Sequence, residues 1–312
     1  MRLLRPKRPA VVAAVVALVA VPPLFFWLVF FLLLSHWNPN SNKCPTPGQG
    51  SDSGIIQAAI DGNTAALRAH LPSDRNPAHR ANALGCAATE AQTSTVRILL
   101  DANVDPNLSS TYAGRPLIAA VSGRGENSPN APTAEPDPAV SNPQRIVIVA
   151  LMLAHGAHPG PALRPAAEGA SAATVKELLD YGANPNGEPH QSSPLASATY
   201  FGNQPVAALL LARGANPNGG GSPDYSAAAI GALVHRLQLG LHSCPFLTAT
   251  TTTSPTSAGV PPLVAAVIMD RTNIIRLLLT YHANPRLGHP SAVEAALECG
   301  DPVLAKLLSQ SH

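Results

Sequence analysis

The residues most able to do chemistry are scattered, and the histidines best placed to share a metal ion are His155 and His158 in "AHGAHPG". A metal-binding helix sets two imidazoles on one face of a continuous turn, as in His-Glu-x-x-His. Here Gly156 stands between them at what reads as a helix end, so they are expected to be loop residues rather than metal ligands. Four cysteines, Cys44, Cys86, Cys244 and Cys299, show no Cys-x-x-Cys and no close Cys/His spacing, which favours disulfides or buried thiols over zinc. Three pairings are open; proximity along the chain favours Cys44 with Cys86 and Cys244 with Cys299. "NGGGSPD" at 218–224 lacks the Lys-Ser/Thr of a phosphate-binding loop, and there is no Gly-x-Ser-x-Gly elbow. No spacing pairs a nucleophile with a base, so the expectation is no catalytic residue, no metal, no cofactor and no small-molecule substrate. Binding is the function class that remains.

The elements that would carry a binding surface begin after a long apolar run. Residues 11–34 contain no charged side chain and are long enough to cross a bilayer as a helix. Arg2, Arg5, Lys7 and Arg8 precede the run, whereas only Lys43 lies in the ten residues after it, which places the N-terminus in the cytoplasm. A cleaved signal peptide would have a shorter core and a small-x-small cleavage site, where this run ends in Phe30 to Leu34. The expected layout is a cytoplasmic stretch 1–10, a transmembrane helix 11–34, a linker 35–50 and an exported domain 51–312. The cysteines then all lie on the side where disulfides persist. Without the four N-terminal basic residues, 16 Lys and Arg face 18 Asp and Glu, with no basic stripe for nucleic acid. Aromatics make up only 4% of the chain, which suits thin stacked layers better than one thick core.

Within 51–312 a phrase recurs: "LLDANVDPN" at 99–107, "MLAHGAHPG" at 152–160, "LLDYGANPN" at 178–186, "LLARGANPN" at 210–218 and "LLTYHANPR" at 278–286. A Pro-Leu start precedes it in "RPLIAAV", "SPLASAT" and "PPLVAAV". The interval from Pro194 to Pro217 and from Pro262 to Pro285 is 23 residues in both cases. Pro194 presets the first helical turn and Ser193 is placed to cap it. Leu195, Ala198, Val206, Leu209 and Leu210 form the apolar stripe, and Gly156, Gly182 and Gly214 can close second helices in the left-handed region, with Asn103 and His282 in the same places. The Asn-Pro steps then turn the chain away.

The repeated unit resembles the ankyrin repeat, two antiparallel helices and a hairpin-like loop marked by Thr-Pro-Leu-His-x-Ala. That resemblance implies an all-α ankyrin-repeat solenoid of about seven units, with insertions at about 122–143 and 219–260 and a last unit that caps the stack. The histidine of the motif is missing, with Ile118, Ala196 and Val264 in its place, so the loops are expected to lack its hydrogen bonds. The same resemblance implies that two positions late in each first helix face a groove. They are Thr89 and Glu90, Ser122 and Gly123, Glu168 and Gly169, then Tyr200 and Phe201, then Ile268 and Met269. The last four make an apolar patch that needs a cover, either a protein partner or the 219–260 insertion with its Ile230, Leu233, Leu237 and Phe246. Tyr112, Arg115, His190, Gln191 and Arg286 are further candidates near the repeat tips.

The function expected from these features is a single-pass inner-membrane protein whose solenoid binds a protein partner in the periplasm. Proteins of this look include inhibitors or immunity proteins for exported toxins and periplasmic companions of antioxidant enzymes. A structural spacer in an envelope complex is the competing class.

Overall fold

The computed structural model describes residue 44 and residues 53–122, 143–189, 193–219, 260–288 and 290–311. Among the described residues the chain is all-α and runs as seven helix pairs. They are α1 (Gly54–Ile60) with α2 (Thr64–His70), α3 (Pro77–Thr89) with α4 (Thr93–Asp101), α5 (Pro116–Ser122) with α6 (Pro143–Ala154), and α7 (Gly160–Gly169) with α8 (Ala172–Asp180). Then come α9 (Pro194–Phe201) with α10 (Gln204–Ala212), α11 (Pro262–Ile268) with α12 (Thr272–Thr280), and α13 (Ala292–Glu298) with α14 (Pro302–Gln310). The expected insertions at 122–143 and 219–260 lie almost wholly outside the described residues, as do the expected transmembrane helix 11–34, His190, Gln191 and Cys244. Among the described residues no helix is long and apolar enough to cross a membrane.

The first helix of each pair packs on the first helices before and after it, from α1 through α13, and α2 to α12 pack in the same serial order. Alanines with no exposed surface line the contact: Ala83, Ala87, Ala119, Ala166, Ala198, Ala266 and Ala296. Small side chains let these short helices approach closely, and the larger Leu99, Met152, Leu178, Leu210 and Leu278 of the second helices fill the space behind them. Of the stripe read from the sequence, Leu195, Ala198, Val206 and Leu210 are fully buried, and Leu209 is half-buried.

Starts and stops follow local chemistry. Ser171 and Asp301 accept the backbone N–H of Thr174 and Leu304, and Ser291 with Glu294 forms a reciprocal capping box. Ser193 departs from expectation: it makes no side-chain cap bond and is buried, leaving Pro194 at the first turn to start α9. α3 also begins earlier than the repeat alignment suggests, at Pro77, because Asn76 caps it by accepting from Ala78 N–H at 3.0 Å. At second-helix ends the left-handed backbone falls where the sequence places it, at Asn103, Gly156, Gly182, Gly214 and His282.

The loops are bonded to one another through asparagine side chains. The first Asn or Asp of each "NPN" step folds into a turn, accepting the N–H two residues on, as Asn184 does from Asn186 at 3.0 Å. The second Asn reaches the next unit. Asn107 accepts from His158 N–H at 2.8 Å, Asn186 from Asn216 N–H at 2.7 Å, and Asn218 from Asn284 N–H at 2.7 Å. Asn218 and Asn284 are 66 residues apart, so the fifth and sixth pairs meet as neighbours across the insertion. The rung between the third and fourth loops is the exception, because Gly160 has no side chain to offer, and the Glu188 carboxylate occupies the space where one would start.

A disulfide joins Cys44 to the fully buried Cys86 of α3, with 5.5 Å between their Cα atoms. Cys299 is also disulfide-bonded. The last pair exposes Leu297, Val303 and Leu307, where Val267, one unit earlier and in register with Leu297, is buried. Glu294, Glu298, Lys306 and Gln310 are exposed on the same pair, so its outer face mixes apolar and polar side chains.

Candidate interaction surface

The ends of four first helices share a register, because positive φ recurs at Ala91, Gly202, Asp270 and Gly300, whereas Ala170, one residue past Glu168 and Gly169, is extended at φ -72. That register places Thr89 and Glu90, Tyr200 and Phe201, Ile268 and Met269, and Glu298 and Cys299 at equivalent positions in their units. The backbone repeats at these four ends and the side chains do not. Glu90 and Glu298 are exposed, and Thr89, Ser122 and Glu168 are half-buried. Burial pushes the Glu168 carboxyl above its usual range, opposed by the Arg164 guanidinium, which pairs with it at 2.6 Å.

The apolar stretch is in place but not open. Tyr200 is 8% and Ile268 9% exposed, whereas Phe201 and Met269 are half-buried. The Tyr200 and Phe201 rings meet edge to face at 5.1 Å between centroids. Burial raises the Tyr200 hydroxyl to about 12, with the Arg271 charge pulling the other way. Arg271 itself packs against Gly202, whose positive φ and missing Cβ admit the guanidinium.

In three units a side chain at or near the start of the second helix reaches back to the carbonyls ending a preceding first helix. Gln92 Nε2 donates to Ile60 at 3.3 Å, and Asn203 Nδ2 donates to Ala170 at 3.0 Å. The largest of these is Arg145, at the start of α6 and 6% exposed. It donates to the carbonyls of Thr89 at 2.7 Å, Ala120 at 3.2 Å, Ala88 at 3.3 Å and Ala119 at 3.4 Å, joining the ends of α3 and α5. A guanidinium suits this place, since its fork carries several donors and its charge complements two helix C-termini. Sequence reasoning missed it. The signal was available as one cation near the start of "PQRIVIVALMLA".

No protein-family model matches the chain, and no curated protein matches it.

The tip residues are dispersed. Arg115 and Arg286 are exposed and Tyr112 is half-buried, the last beside the Ser110 and Gly114 bridge that Asn82 anchors by accepting from Thr111 N–H at 2.7 Å. His155 and His158 go separate ways, toward Asp101 at 3.9 Å and onto Asn107. Among the described residues no group of three His, Cys, Asp or Glu side chains is arranged to hold a metal ion.

One recess, of about 480 Å³, opens beside α1 and the α2–α3 turn, lined by Ser53, His70, Asp74, Arg75 and His79 among others. Asp74 Oδ2 accepts from Ser53 Oγ at 2.9 Å and from His79 Nδ1 at 3.0 Å. The carboxylate sits between serine and imidazole, the reverse of the order that lets an imidazole take the serine proton. Burial would raise the Asp74 carboxyl, but the hydrogen bonds from Ser53, His79 and the Asn76 N–H outweigh it and hold the group below its ordinary value. The cluster pins the turn that leads into α3.

Proposed function

We propose that this chain is an ankyrin-type solenoid, anchored by residues 11–34 in an inner membrane, that binds a protein on the periplasmic side. The observation that carries the reading is the row of first-helix ends: a repeating, cross-braced backbone bearing side chains that differ at every unit. A stack selected only to be a spacer has no need of such variety, whereas a recognition surface requires it. The partner meets Thr89, Glu90, Ser122 and Glu168 in the polar half, with Tyr112, Arg115 and Arg286 at the tips. Capture of an incoming protein, as by an inhibitor or immunity protein, fits a tethered binder; the companion of an antioxidant enzyme is the other role the resemblance suggests.

The test is made in the full-length, membrane-bound chain. Thr89→Arg with Glu90→Arg is expected to abolish co-purification of the partner from a solubilised envelope while leaving the amount and Tm of the chain unchanged. A spacer would retain its associations in that variant, and retention sinks the binding reading. Orientation is checked separately by a reporter fused after His312, which is expected to be active only when exported.

A further inference from the structure

The last helix pair carries the most open apolar side chains among the described residues. Leu297 is 57%, Val303 76% and Leu307 52% exposed, above every other large apolar residue among them. Leu297 lies on α13, and Val303 and Leu307, four residues apart, share one face of α14. Two of the three occupy stacking positions. Val267, in register with Leu297, is buried, and Leu209 and Leu277, in register with Leu307, are half-buried. Val303 is different. Counted from the residue before each second helix, its place holds Ser94, Ala173, Pro205 and Asn273 in other units, all exposed and none a large apolar residue. A valine there widens the apolar face beyond what stacking requires.

We propose that this face pairs with the same face of a second copy of the chain, about a two-fold axis that lays α13 of one copy on α14 of the other. Charge selects that occupant. α13 carries Glu294 and Glu298 and no base, α14 carries Lys306 and no acid, and all three are exposed. Glu298 and Lys306 are in no ion pair among the described residues. Laying unlike helices together sets acid against base on both sides of the axis and brings Leu297 over Val303 and Leu307. Laying like helix on like would set acid against acid. The other end of the array is a poorer match. Head-to-tail stacking would seat the face on the first pair of another copy, which exposes no large apolar side chain among the described residues. The two helices offer a face of roughly 20 Å by 14 Å, less than the roughly 800 Å² per partner of a standard interface. Pairing is therefore weak and depends on local concentration. Thr89 and Glu90, which the proposed protein partner meets, lie five pairs away and play no part in it.

The test uses two differently tagged copies of the full chain, co-expressed in living cells, with a photo-crosslinking residue at position 303 of one of them. An adduct carrying both tags is expected, with peptides that join position 303 to residues 292–298 of the second copy. Lys306→Glu in both copies is expected to lower the adduct roughly fivefold, the loss of two exposed ion pairs. Adding Glu298→Lys is expected to restore it, a rescue that requires the two faces to be the same. Both side chains are exposed, so the variants should keep the Tm of the unaltered chain. Absence of a two-tag adduct overturns the proposal, as does an adduct only to a different polypeptide, an adduct indifferent to Lys306→Glu, or a failed rescue at unchanged Tm. Failure of the partner-binding reading shows at position 90 instead, so the two outcomes are read apart.

Discussion

His282 is where the repeat strains its own backbone. It sits at φ 61 in the position that Gly156, Gly182 and Gly214 hold in other units. A left-handed L-residue costs about 1–2 kcal/mol, of which glycine recovers part after its larger entropy loss. His282→Gly is expected to raise the unfolding free energy by about 0.5–1 kcal/mol in denaturant titration, and Asn103→Gly by less, since asparagine tolerates that region. Asp74 makes a prediction about pH. Its folded-state value lies below the unfolded one, so its contribution is present above the unfolded value and is lost as pH falls through the folded value. Asp74→Asn is therefore expected to destabilise the chain at pH 7 and to have little effect on the acid side, below the carboxylate range; equal losses at both would remove the Ser53 and His79 bonds as the cause.

At the scale of elements, side-chain braces tie neighbouring helix pairs and their loops together. Arg145→Met is expected to cost about 2–4 kcal/mol, because the carbonyls ending α3 and α5 lose a charged donor while remaining buried. Arg145→Lys should recover only part of that loss, having one nitrogen for four carbonyls. Asn218→Ala is expected to cost about 0.5–1.5 kcal/mol and to speed amide exchange at Asn284, whose N–H it leaves without its partner on the neighbouring loop. The helix pairs were legible in the sequence because prolines at first turns and glycines at helix ends recur at fixed spacing. The cap at Asn76 was not, since aligning repeats draws the eye to Ala83 and past an Asn-Pro step seven residues earlier. The Asn ladder was half legible: "NPN" announced turns, but a bond between loops depends on stacking distance, which no single unit encodes. Arg145 escaped for the same reason, its carbonyl partners lying in two other helices.

For the whole molecule, the serial packing of first helices makes one continuous row from seven local units, and the insertion between the fifth and sixth leaves that continuity intact. The patch at Tyr200, Phe201, Ile268 and Met269 could be located from the sequence, which left its cover open between a partner and the 219–260 insertion; Tyr200 and Ile268 are buried, and Phe201 and Met269 half-buried. The Cys44 and Cys86 pairing followed from proximity along the chain. The central claim, that an anchored array binds a protein through the polar half of its row, is tested most directly by photo-crosslinking from position 90 in living cells. The account predicts one discrete adduct to an envelope or exported protein, lost when Arg replaces Thr89 beside the crosslinker. Adducts confined to lipid or to the chain itself would contradict it.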